Sequence, residues 1–247
     1  MNKVSSRRVI IFLAAVAGMS LTARLGFWQL SRAQEKLAIQ SQLESQAQLP
    51  ALEKQDLLQQ PELWKHIHRN IHMDGRWMVD KTIYLDNRSY KGQPGFWVLT
   101  PMAWSPGQVI WVQRGWVARD LRDATKAAEV ITPTENTRIK GRIAWGLSHM
   151  TELKSTIPSE PVAGQLRIQS NLDTDQMQSL VSDKVSAFVI QTGEDSEGLK
   201  RDWPVISQTA DKNKGYAFQW FALSGLMGIL YFWFQWIGPM RHARQQQ

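Results

Sequence analysis

The sequence predicts a membrane protein in which two transmembrane α-helices flank an extramembrane, mainly antiparallel β domain, a small barrel or sheet with short helices. Three observations predict it: a charge-free stretch near each end, a change from helical to alternating periodicity at Trp64, and closely spaced turn signals between the apolar runs that follow.

The C-terminal stretch is the clearest element, because Gly215 to Pro239 holds no charged residue. Tyr216 to Ile237 is 22 residues, which at a helical rise of ~1.5 Å covers about 33 Å against a hydrocarbon core of about 30 Å. Tyr216 and Trp220 mark one end and Trp233 and Trp236 the other, the headgroup levels that amphipathic rings prefer. Pro239, Arg241 and Arg244 stop the span. Near the N-terminus, Val9 to Ala23 is 15 uncharged residues behind Arg7 and Arg8. It reads as an uncleaved span from Val9 to Trp28. Cleavage after the small pair Ala15 and Ala17 would leave an apolar region of about six residues, short of the 7 to 15 that a signal peptide needs. Arg24, near the outer end, can snorkel to the headgroups.

The expected plan is a cytoplasmic tail (1–8), a first span (9–28), an extramembrane domain (29–214), a second span (215–237) and a second tail (238–247). Within the domain, 29–48 is a helical stalk and 64–191 the β portion. Two spans put both termini on one side. The tails of eight and ten residues carry five basic and no acidic residues, which predicts cytoplasmic ends and a periplasmic domain in a bacterial-type inner membrane.

The net charge of +7 does not describe a nucleic-acid footprint. All 22 acidic residues and 23 of the 29 basic ones lie between Arg32 and Lys214, so that middle part carries only +1 and the excess flanks the spans. Zero cysteines excludes disulfides, thiol catalysis and thiolate metal sites.

Along the domain, Gln29 to Gln48 lacks Gly and Pro and continues the first helix outward, with only Leu30, Ala33 and Leu37 at helical spacing. Pro50 and Pro61 bracket a short helix, Leu52 to Gln59. From Trp64, Ile67, Arg69, Ile71 and Met73 alternate with His66, His68, Asn70 and His72, and Asp74-Gly75 predicts a hairpin turn. Further strands are predicted at Thr82–Asp86, Phe96–Met102, Val109–Val117, Thr137–Trp145 and Ala187–Gln191, with Leu166–Gln169 as another candidate. Ser105-Pro106-Gly107 fits a type II turn. Short connections make the centre an antiparallel meander. Asp173 caps a helix over Thr174–Ser182, with Gln176 completing a capping box and Met177, Leu180 and Val181 facing inward.

His66, His68 and His72 fall on one side of the first predicted strand, about 7 Å apart per pair of residues, which makes a zinc or copper site geometrically open; the plain reading is a solvated polar face. No G-x-S-x-G, H-E-x-x-H, Walker or dinucleotide motif is present. The carboxylate pairs Asp173 with Asp175 and Glu194 with Asp195 sit in capping and loop contexts. Arg88, Arg114 and Arg119, at strand ends or beside turns, read as surface or loop-pinning cations.

Five segments carry a resemblance: LGFWQLSRAQEK (Leu25–Lys36), LDNR (Leu85–Arg88), PGFWVLTPM (Pro94–Met102), VQRGWVARD (Val112–Asp120) and YAFQWFAL (Tyr216–Leu223). In this order, with helices at both ends of a long loop, the chain resembles the Surf1 family over nearly its whole length. The motif positions are Gln29, Arg88, Gly95, Arg114, Gly115, Trp116 and Gln219. The resemblance implies a non-enzymatic assembly factor for haem-copper terminal oxidases, chiefly cytochrome c oxidase, which helps haem a enter the catalytic subunit. Its implied partners are that subunit, the haem a synthesis machinery and membrane lipid, with haem a as a transient cofactor. The family often carries a histidine three residues before the tyrosine that opens the second span. Here the position holds Asn213, and an asparagine amide does not replace imidazole on iron. What remains as a haem or partner contact is a rim of Trp28, Arg32, Tyr216 and Trp220 with Gln29 and Gln219. The alternative is a metal-binding envelope enzyme or metal carrier built on His66, His68 and His72.

Overall fold

The computed structural model describes residues 3–59, 63–120, 122–123, 126–144, 146, 166–203 and 206–237. The expected span stop at Pro239, Arg241 and Arg244, the second tail, Pro61 and Trp145 lie outside the described residues. The chain divides into two units, one of the terminal helices (Met1–Gln42 with Pro204–Gln247) and one of the intervening Leu43–Trp203.

In the helical unit, α1 (Lys3–Ala47) is unbroken, and α4 (Ile206–Phe232) continues into a π turn at Trp233–Ile237. Both are long and apolar enough to cross a membrane, over Arg7–Ala47 and Thr209–Ile237. Only 11% and 6% of their most apolar stretches are buried, which sets them apart from helices enclosed in a soluble core. The chain is a membrane protein. Small residues let the two helices approach: a Cβ on Gly26 would lie 2.7 Å from the Phe221 ring, and one on Gly228 3.3 Å from Met19 Sδ. The Ser224 hydroxyl donates across to Met19 O at 3.0 Å.

The second unit is a β barrel. Strands β1 (Asn70–Trp77), β5 (Thr137–Ala144), β7 (Lys184–Gln191), β4 (Gln108–Ala118) and β3 (Gly95–Ser105) are neighbours in that order. Pairing of Arg76 with Ala103 and of Trp77 with Met102 closes the ring. The free part of β3 pairs with β2 (Ile83–Leu85), which in turn pairs with β6 (Ile168–Gln169). All pairings are antiparallel except β4 with β7 and β2 with β6. Ile71, Met73, Met102, Trp104, Ile110, Val112, Ile139, Ile143 and Val189 meet inside, and Leu52, Leu57 of α2 (Lys54–Gln59) and Leu63 pack against them. Each such side chain contributes roughly 1.5–3 kcal/mol on leaving water. Alternate residues of the same strands, with Val109, Trp111 and Phe188 among them, form a second core under α3 (Thr174–Ser179). Asp173 caps α3 with the predicted capping box, and the Trp111 indole donates to Met177 O at 3.2 Å.

Three expectations change. Asp74-Gly75 is not a turn, since β1 runs through it and pairs Asp74 with Arg138 and Gly75 with Thr137; six consecutive partners on β5 outweigh a local turn preference. The first strand also begins only at Asn70, because Leu63–His66 is a 3-10 turn and His68 lies at φ +71°. The meander holds for β2, β3 and β4, with Gly107 at φ +69° as its turn requires, but β7 then enters parallel to β4, and no short-loop rule foresees that.

Candidate functional site

Three family-like segments, far apart in sequence, meet at one end of β3. Gly95 opens β3 opposite Ala118, and Trp97 pairs with Trp116. A Cβ on Gly95 would sit 2.3 Å from Val117 O and 2.4 Å from the Trp116 ring, so only glycine fits. The Trp116 indole N–H reaches back to Arg88 O at 2.7 Å, and its ring lies against Tyr90 with centroids 5.1 Å apart. LDNR, PGFW and RGWVARD are thereby locked together through Arg88, Gly95 and Trp116.

Arg88 is not a surface cation, since only 4% of it is exposed. Its guanidinium lies 5.0 Å from the Trp97 ring centroid and donates to Asp86 O and Ser170 O, both at 3.1 Å, while Nε has no partner among the described residues. Burial pushes the Arg88 pKa down. Arg119 pairs with Asp86 and lies 4.9 Å from the Phe96 ring centroid, and its Nε is also buried without a partner among the described residues. Between them opens a cleft of about 470 Å³ lined by Asp86, Asn87, Arg88, Gly95, Arg119 and Ser170 among others.

Arg114 departs furthest from its sequence reading, because it is fully buried. Val98 pairs with Gly115 but Leu99 with Gln113, so Arg114 is the extra residue of a β-bulge. The bulge places its guanidinium 4.7 Å from the Trp77 ring centroid, with Nη1 donating to Thr132 at 2.7 Å and Nη2 to Glu197 at 3.0 Å. Glu197 also takes Arg201 Nη2 at 2.8 Å, and Arg201 Nε donates to Arg114 O at 2.9 Å. Burial lowers the Arg201 pKa, with Glu197 opposing that shift. A Cβ on Gly115 would lie 2.7 Å from Leu199 Cβ, the close approach that brings this second segment against β4. Glu197 and Arg201 were not among the candidates: GEDSEGLKRDW reads as a turn-rich loop, and only the contact with β4 gives it a role.

In the helical unit, Gln29 and Asn213 are joined, with Asn213 Nδ2 donating to Gln29 Oε1 at 2.6 Å and Lys36 Nζ donating to Asn213 Oδ1 at 2.7 Å. Trp28 and Arg32 share one face of α1, and Tyr216 and Trp220 one face of α4, each pair being four residues apart. Trp28 and Tyr216 are exposed, Gln219 likewise, and Arg32 pairs with Glu35 at 2.7 Å. Among the described residues no ring contact joins Trp28, Tyr216 and Trp220.

The histidines do not gather. His66 lies in the 3-10 turn, His68 beyond it with Nδ1 buried, and His72 Nδ1 meets Glu53 at 2.9 Å. No group of three or more metal-ligating side chains forms among the described residues.

A β barrel carried between two membrane-crossing helices defines a membrane-anchored protein whose chain outside the helices presents an arginine-lined cleft. A model of the SURF1 family matches residues 16–225, from within α1 to within α4, and the chain belongs to that family. It is 24% identical over 226 residues to a SURF1-like protein of Rickettsia felis, covering 89% of this chain and 94% of the relative. It is 24% identical over 215 residues to one of Rickettsia bellii (84% and 83%) and 25% identical over 223 residues to one of Rickettsia conorii (84% and 83%).

Proposed function

We propose that this protein is a membrane-anchored assembly factor for a haem-copper terminal oxidase, aiding haem a insertion into the catalytic subunit without a bond-making step of its own. The observation that carries this reading is the SURF1 family match from one anchor helix to the other. Haem a is cargo here. Asn213 does not suit the iron, because its carbonyl and its amino group are both engaged with α1. The residues that suit a porphyrin are the exposed rings of Trp28 and Tyr216 with Trp220, and Arg32 for a propionate. Among the described residues Arg32 is held only by an exposed pair with Glu35, of a kind worth about 0.2–1 kcal/mol, so exchanging that partner costs little.

Both termini face the cytoplasm and the barrel faces the periplasm, following the basic tails. A cysteine placed at Gln108 then reacts with a membrane-impermeant reagent in intact cells; protection until lysis reverses the topology. Deleting the gene lowers the a-type haem absorbance in reduced-minus-oxidised membrane spectra. Unchanged spectra with full oxidase activity would sink the assembly role.

A further inference from the structure

We propose that the cleft between the 86–95 loop and Arg119 is a carboxylate-binding site. Arg88 is the starting point: a guanidinium buried to 4% exposure whose acceptors, Asp86 O and Ser170 O, are both neutral carbonyls. Among the described residues no carboxylate pairs with it, since the Asp86 side chain is taken by Arg119. Five N–H donors on such a group leave several to place, and Nε has no acceptor among the described residues. A buried charge with no counter-ion is costly, and a carboxylate arriving in the cleft relieves that cost with charge-assisted, fork-shaped hydrogen bonds. Arg119, whose Nε–H is likewise buried without an acceptor among the described residues, lines the same cleft.

The local charge selects the ligand. Two arginines against one aspartate leave +1, which a monoanion cancels, whereas Asp86 in the lining opposes a dianion such as phosphate. A cleft of about 470 Å³ also exceeds a bare carboxylate, so it admits part of whatever carries the group. That carrier is either an acidic side chain of a protein partner or a free carboxylic acid. The site extends the assembly-factor reading without depending on it, because binding is measured on the purified chain and the assembly role on the deletion strain.

The test uses the full chain in detergent at neutral pH, labelled with ¹⁵N-arginine, with Nε–H resonances assigned by Arg88→Lys and Arg119→Lys. Propionate and an N-acetylated Gly-Glu-Gly amide are titrated separately, with phosphate and chloride as controls. The Arg88 and Arg119 resonances should shift saturably with both carboxylates, and phosphate should bind at least about fivefold more weakly. Asp86→Asn, which releases Arg119, should tighten propionate at least about threefold. Peptide affinity at least about tenfold above propionate assigns the carrier to a protein side chain; equal affinity assigns it to a free acid. No saturable shift with either carboxylate, equal displacement by chloride, or weaker binding in a folded Asp86→Asn variant overturns the site.

Discussion

Glu197→Gln tests the buried arginine pair most directly, because it keeps volume, shape and the left-handed backbone at φ +61° while removing one charge. In the native barrel that carboxylate serves two guanidiniums, and the side chains of Arg114 and Arg201 are 0% and 3% exposed. Without it, both cations remain buried facing only neutral acceptors, the situation that costs about 3–5 kcal/mol when one partner of a buried pair is removed. For a unit of this size, about 2–4 °C of melting temperature accompanies each kcal/mol, so a fall of roughly 6–20 °C is expected. Circular dichroism melting of the detergent-solubilised chain at 230 nm, where exciton-coupled tryptophans report packing, measures it. Arg114→Met on its own should cost less than Glu197→Gln, since a one-to-one Glu197–Arg201 pair survives, and adding it to Glu197→Gln should recover at least about 1 kcal/mol. A Glu197→Gln variant melting within about 2 °C of the native protein would refute the claim that one carboxylate holds this corner together.

Gly95→Ala should lower the barrel's stability by about 1–3 kcal/mol, because the new methyl meets Val117 O and a Trp116 ring that Arg88 O already fixes; an unchanged denaturant midpoint would contradict this. Burial first, and Arg142 second, hold His68 below the usual histidine value. Its neutral ring therefore stabilises the fold fully above an unfolded value of about 6.5, and that contribution is lost as pH falls through the lowered folded value. His68→Asn, an amide that tolerates φ +71°, should flatten the melting temperature between about pH 7 and pH 5, and a retained slope would assign the effect elsewhere. Asn213→Leu removes both polar links to α1, so trypsin should cut after Lys212 and Lys214 several-fold faster in micelles; equal rates would show that the links do not hold the helix ends.

The helices were legible because a bilayer crossing is written in composition alone: no charge between Gly215 and Pro239 admits few other structures. Strands β2, β3 and β4 were legible for a local reason, since Pro106-Gly107 and the turn formers of 87–95 fix their connections. What escaped depends on distant partners. The alternation of Ile71 and Met73 is real, yet it says nothing of β5 as neighbour, and so Asp74-Gly75 reads in sequence as a turn that the strand pairing overrides. Arg88, Arg114 and Arg119 look like ordinary surface cations in one dimension; Trp97, Trp77 and Phe96, which lie beneath their guanidiniums, become visible only once strands pair. The three histidines erred the other way, because their shared face required a strand that starts four residues later than the first of them.

The order in which the ring is assembled bears on how the protein is made. β1 has to wait for β5, and β4 for β7, so nearly the whole of Leu43–Trp203 must be synthesised before the last seam is sealed. The sealing strand ends at Gln191 and the second anchor begins at Ile206, so the two are delivered almost together. A nascent chain tethered by α1 alone thus exposes the unpaired edges of β4 and β5 until β7 is made, and slowing the ribosome between Ala144 and Lys184 is the manipulation to which its yield should respond most sharply.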